Sequence, residues 1–249
     1  MEAIDRISAL PDALISHILS TLPTLDAVRT TVLSRRWINQ WTSIQNLKFD
    51  EDDEYLALLA MTLIGLLGLL IEHFIFGSHQ TSRSSLFVLI GLVFEYIISV
   101  ATSTFMIADC CLPAFGNLTE LELVFCDGDY WKFLAVLLQK APNLEYLDLE
   151  DKTEGDYESS RNLPEVVPIC LSSHLKKILI RGFKGRKCDM KVAKYLLENG
   201  YHLNEFTIIC CHTNLLDKKE ELHKELCLFQ KAKSCSIYFD EDVLKGQKA

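Results

Sequence analysis

Leu118, Leu121 and Leu123 set out a pattern, apolar-x-x-apolar-x-apolar, that returns at Leu144/Leu147/Leu149, Leu175/Ile178/Ile180 and Leu203/Phe206/Ile208. The starts lie 26, 31 and 28 residues apart. No other feature restricts the fold as much. A unit of this size cannot bury its own apolar face, so successive units must stack, strand beside strand, into a solenoid. The last two apolar positions of each unit alternate as in a half-buried strand. Between them the chain turns helical: Trp131 to Lys140 offers Trp131, Leu134, Leu137 and Leu138; Asp189 to Asn199 offers Val192, Ala193, Leu196 and Leu197; and Asp217 to Gln230 offers Leu222, Leu226 and Phe229. Ile44/Leu47/Phe49 matches the same pattern far upstream and is a candidate first strand, while Cys235/Ile237/Phe239 closes the array. The expected sheet face is roughly four strands wide.

The N-terminal segment has a different grammar. Leu10-Pro11 opens a helix, Pro11 being suited to a first turn where its missing N–H is not needed. Leu14, Ile15, Ile18, Leu19 and Leu22 follow at helical spacing. Pro23 stops that helix, Thr24 is the expected N-cap of a second carrying Ala27, Val28, Val32 and Leu33, and Ser34 caps a third with Trp37 and Trp41 one turn apart. Three helices this short cannot bury so many large apolar groups among themselves. The surplus points to a small bundle that docks, on the rest of the chain or on a partner.

Composition removes other classes. The 249 residues carry a net charge of −9 with a pI near 5.3, which argues against a general nucleic-acid binder. The first ten residues hold Glu2, Asp5 and Arg6 and no apolar core, so no secretory signal is expected there. Nine cysteines, an odd number without C-x-x-C spacing, read as free thiols in a reducing compartment. Cys210-Cys211-His212, with Cys227 and Cys235 beyond, lacks the spacing by which one loop wraps a zinc ion, and neither it nor Cys110-Cys111 is read as a metal site. Arg181 to Lys187 has two glycines and four basic residues but not the order that cradles phosphate, so a solvated strand-to-helix loop is expected. The sequon Asn117-Leu118-Thr119 sits at a strand start and is set aside. No nucleophile–base pair or paired-carboxylate site emerges, so neither an enzyme nor a cofactor is expected.

The middle of the chain follows neither grammar. Tyr55 to Ile71 has no charge, apolar character continues to Phe76 past Glu72 and His73, and Leu86 to Ala108 is apolar save for Glu95. Each stretch approaches the twenty or so residues of a membrane helix, although Glu95 would cost about 3 kcal/mol at mid-membrane. Three readings stay open: a membrane hairpin with both chain ends cytosolic, a pair of buried helices, or sequence not normally translated.

Three resemblances rest on these residues. Leu10-Pro11, Ile15, Ile18-Leu19, Leu22-Pro23, Ala27, Val32 to Trp37 and Trp41 together resemble an F-box in the form common in plants. LPAFGNLTELEL and LLQKAPNLEYLDLE resemble the last leucine-rich repeat of plant F-box/LRR proteins. Val167-Pro168, Cys170-Leu171, His174 to Lys176, Gly182 to Gly185 and Ala193 to Tyr195 resemble the FBD domain that follows it. The resemblance implies a fold of class α plus α/β: an N-terminal three-helix F-box (5–45), a first strand and acidic linker (46–54), residual leucine-rich repeats with parallel strands (112–155) and an FBD-like domain (160–240), then a polar tail (241–249). It departs at 55–108, where the residues themselves read as two apolar helices, a hairpin that is either membrane-spanning or a non-native insert.

It also implies a function, that of a non-catalytic substrate receptor of a Skp–cullin–F-box ubiquitin ligase. The adaptor would be met through Leu10, Pro11, Ile15, Ile18, Leu22, Pro23, Val32, Leu33 and Trp37. Through a Skp-type adaptor the chain would join a cullin, and the repeats would hold an unknown target protein, in the cytoplasm, the nucleus or both. The family's further repeats between Phe49 and Leu118 are missing. That leaves two rival readings, a membrane-anchored F-box protein tethered by 55–108 and a truncated member with no target.

Overall fold

In the computed structural model, residues 7, 9–30, 35–37, 40–49, 112–125, 130–152, 166–211 and 219–241 are described. The chain divides into two compact units, one holding Met1–Trp41 with Tyr55–Pro113, the other Thr42–Glu54 with Ala114–Ala249.

The first unit contains α1 (Asp12–Ser20) and α2 (Thr24–Arg29), followed by the 3-10 turn Arg35–Trp37. A second 3-10 turn, Gln40–Ser43, carries the chain out of this unit. Both α-helices start on a proline. Pro11 (φ −59°, ψ 147°) and Pro23 (φ −53°, ψ 146°) sit at the N-caps, extended, and their carbonyls accept the first intrahelical bonds, from Ile15 at 3.1 Å and Ala27 at 2.9 Å. Two expectations shift by one residue: Pro11 precedes the first turn rather than entering it, and Thr24 is the first helical residue rather than the cap. The fixed φ of proline already supplies the entry geometry, so no capping side chain is required, and none bonds there. In place of an expected third α-helix with both tryptophans on one stripe, the described residues show two 3-10 turns, each burying one indole.

The second unit is a solenoid. Its strands are β1 (Asn46–Phe49), β2 (Glu120–Phe125), β3 (Tyr146–Asp151), β4 (Lys177–Phe183), β5 (Glu205–Cys210) and β6 (Ser236–Glu241). Between them lie α3 (Tyr130–Lys140), α4 (Ile169–Ser173), α5 (Lys187–Asn199) and α6 (Lys219–Phe229). The sheet runs β1-β2-β3-β4-β5-β6, every pair parallel. Its width corrects the four-strand expectation, because the outlying matches at both ends join the four central ones.

Register makes the repeat physical. Leu47, Leu121, Leu147, Ile178, Phe206 and Ile237 form one row across the sheet, and Phe49, Leu123, Leu149, Ile180, Ile208 and Phe239 the next. All twelve are buried. The leading apolar residues Ile44, Leu118, Leu144, Leu175 and Leu203 are buried as well. The residue after each leading position bonds the next coil: the carbonyls of Gln45, Thr119, Glu145 and Lys176 each accept two amides from it. Asn117 and Asn143, just before two leading leucines, donate backward from their side chains to Ser43 O at 3.4 Å and Gly116 O at 2.7 Å. Asn117 therefore serves as an inter-coil strut. The helices follow the same order, α3 packing on α4, α4 on α5 and α5 on α6. They bury Leu134, Leu137, Leu138, Val192, Ala193, Leu196, Leu197 and Leu226.

Candidate functional site: an apolar helical stripe and a charged sheet

On α1 the apolar residues fall into two stripes. Ile15 and Leu19 are fully buried, whereas Leu14 (50% exposed) and Ile18 (40%) lie one turn apart on an adjoining line, and Leu22 (37% exposed) follows two residues past the helix end. Asp12, in the first turn, receives Arg36 Nη2 at 2.5 Å, which ties the start of α1 to the first 3-10 turn. Among the nine expected adaptor contacts, Pro11, Ile18, Leu22 and Pro23 are exposed and Leu10 is half-buried. Ile15 and Trp37 lie inside the unit. Val32 and Leu33 fall outside the described residues. Leu14 was not among the nine, although its spacing from Ile18 and Leu22 marked it.

The outward face of the sheet carries charge. Across it run Lys48, Glu122, Asp148, Leu179, Thr207 and Tyr238 in register. Lys48 pairs with Glu122 at 3.0 Å and Lys177 with Glu205 at 2.9 Å. At the centre Arg181 grips Asp148 with two nitrogens, Nε to Oδ1 at 2.9 Å and Nη2 to Oδ2, and reaches Glu150 at 3.4 Å. Such fork-to-fork pairing is geometrically selective as well as strong. It raises the Arg181 pKa further. The Tyr146 hydroxyl donates to Asp148 Oδ2 at 3.3 Å; burial first, and that carboxylate second, push its pKa up to about 12.

Where β3 and β4 end, a second charged group is sunk into the fold. Arg186 Nη2 donates to Asp151 Oδ2 at 2.8 Å and Asp189 Oδ1 at 2.9 Å, and Lys184 Nζ stands 3.7 Å from Asp151. The Asp189 carboxylate also accepts the backbone N–H groups of Lys184 and Arg186, each at 3.1 Å. An acidic side chain three residues into α5 thereby binds the amide before the helix, as one half of a capping box does. Burial works against the Arg186 cation, but Asp189 and Asp151 more than offset it and its pKa is raised. The expected strand-to-helix loop is there, between Phe183 and Lys187, but it is solvated only in part: Lys187 is exposed, whereas the Arg186 side chain is 10% exposed, held by Asp151 and Asp189 at 8% and 6%. The phosphate reading gains nothing, since these bases already hold carboxylates.

Among the described residues no group of three or more His, Cys, Asp or Glu side chains is placed to hold a metal ion. Cys210, the last residue of β5, is buried and Cys211, just beyond it, is half-buried. Cys110, Cys111 and His212 lie outside the described residues. No described helix is long and apolar enough to cross a membrane, and the open readings of 55–108 lie outside the described residues.

Comparison with known families agrees with both halves of the molecule. The F-box domain family matches residues 7–49, and the FBD family matches residues 163–208. An FBD-associated F-box protein of Arabidopsis thaliana is 30% identical over 260 residues, spanning 78% of this chain and 80% of the relative. Two F-box/FBD/LRR-repeat proteins of the same plant are 32% identical over 141 residues and 55% identical over 116. This chain covers only 31% and 25% of those two relatives' lengths. No solved structure matches it. The chain belongs to the family of F-box proteins with an FBD domain.

Proposed function

We propose that the chain is a non-catalytic substrate receptor of a Skp–cullin–F-box ubiquitin ligase. In this reading residues 5–45 dock on a Skp-type adaptor, which carries the cullin, and the sheet presents an unidentified target protein. Ubiquitin transfer is chemistry of the other subunits, and the receptor acts by holding its target at high local concentration. The observation that carries the proposal is the exposed pair Leu14 and Ile18 on a helix whose other apolar stripe is already buried, with exposed Leu22 just past its end and an exposed proline on either side. Large apolar groups left exposed in this way are best explained by a partner that covers them. Within the proposed contact, Leu10, Pro11, Ile18, Leu22 and Pro23 touch the adaptor directly. Ile15 and Trp37 hold the surface in shape from beneath, and Val32 and Leu33 are assigned to the contact by family resemblance alone.

The test is co-purification with a Skp-type adaptor. Leu10→Asp with Pro11→Ala, and Ile18→Asp separately, should each weaken binding by at least about 30-fold, the loss of one interface hot spot. Ile18 is exposed, so its replacement should leave the thermal unfolding midpoint nearly unchanged. Undiminished binding by both variants refutes the docking surface.

A further inference from the structure

A solenoid has two ends, and at one of them β6 is bonded only to β5 among the described strands. In a parallel ladder alternate residues of a strand bond to one side and the rest point to the other. Ser236 N–H donates to Asn204 O at 2.9 Å and Ser236 stands opposite Glu205, so Ser236, Tyr238 and Asp240 engage β5. The carbonyl of Cys235 and the backbone groups of Ile237 and Phe239 therefore face the edge that no described strand covers, while the Cys235 N–H already donates to Ala232 O at 3.1 Å. Unmet donors and acceptors on such an edge form a template for another strand, and natural sheets guard against that, often with lysine.

Two side chains occupy this edge. Lys219 Nζ donates to Phe239 O at 3.2 Å, from the first residue of α6. Gln230 Nε2, just beyond the last residue of α6, donates to Cys235 O at 2.6 Å and to Ala232 O at 2.7 Å. One helix thus sends a polar group from each end to the carbonyls on either side of Ile237. An incoming strand would have to displace both and would meet an ammonium group in the plane of the sheet. In each earlier coil the next described strand meets the corresponding backbone groups.

We propose that Lys219 and Gln230 are a terminal cap, which closes the β6 edge against the β6 edge of a second copy of this chain. Two copies related by a two-fold axis would present the same edge to each other and continue the sheet through antiparallel pairing. The cap keeps that edge single.

The experiment compares the full chain with Lys219→Met/Gln230→Met, which keeps side-chain length but removes both donors, and with Lys219→Arg, which keeps a cationic donor. Each is followed by sedimentation velocity over about two decades of concentration and by residue-resolved amide exchange. In the dilute wild type, Ile237 and Phe239 amides should exchange at least about ten-fold faster than those of Tyr238 and Asp240. In the double variant their protection should rise about ten-fold with concentration as a dimer forms, and the arginine variant should behave as wild type. Absence of that concentration-dependent protection in a folded double variant overturns the proposal. So does strong protection of Ile237 and Phe239 in the dilute wild type, which needs no variant to observe.

Discussion

Gly182 shows how one position can be fixed by its surroundings. Its φ is +75°, and a Cβ there would overlap the backbone carbonyl of Asp151 on the neighbouring strand, where the β4–β5 register also slips between Arg181 and Phe183. Left-handed backbone alone costs a residue with a side chain about 1–3 kcal/mol, and here backbone must also move. Gly182→Ala should lower the unfolding free energy by at least that amount, read as a lower urea midpoint at unchanged m, without changing adaptor binding. Cys170 is fully buried, its thiol 3.4 Å from Leu138 O, and burial pushes its pKa up to about 12, whereas Cys227 is exposed. Only the thiolate reacts. Iodoacetamide at neutral pH should label Cys227 in the folded chain and reach Cys170 only on unfolding; equal rates would contradict this burial.

Among the elements, the strands were the most legible, and the charged lock between β3, β4 and α5 the least. Each strand carries its own evidence, since Leu121 and Leu123 alternate within a few residues and Leu147 and Leu149 repeat them. Helix α4, five residues long, is too short for periodicity to declare itself, and only Pro168 at its N-cap marks it. Arg186 finds Asp151 across 35 positions of sequence, a distance no local pattern spans, so its basic run looked solvated. Similarly, the stripe on α1 was visible as helical spacing, but which of its residues turn inward depends on packing. Arg186→Ala should strand two largely buried carboxylates and cost about 3–5 kcal/mol, seen as a lower thermal midpoint that Arg186→Lys partly restores. Strand β3 adds a pH dependence. The unfolded chain loses the Tyr146 proton near pH 10 and the folded one near 12, so the unfolded state binds fewer protons between them. That contribution is fully present below pH 10 and is lost as pH rises through 12. Urea midpoints at about pH 9 and about pH 11 should differ less in Tyr146→Phe than in wild type.

The sheet is continuous although the sequence between two of its strands is not. β1 lies directly beside β2, Asn46 opposite Glu120 and Phe49 opposite Leu123, although residues 50–119 intervene in the chain. Adjacent parallel strands need a crossover of only about a dozen residues. Removing 55–108 leaves 50–54 and 109–119, which exceeds that minimum. Shortening the connection about four-fold also lowers the entropy cost of closing it by about 1 kcal/mol. The pairing itself rests on Leu47 and Phe49, which continue the buried rows of β2 to β6, and on the Gln45 carbonyl that binds Thr119 and Glu120. None of these groups is lost. The chain without 55–108 should therefore keep a six-stranded sheet, with the amides of Glu120 and Glu122 as protected from exchange as in the full chain. Loss of that protection while β3 to β5 stay protected would mean that the apolar block is needed to hold β1 in place.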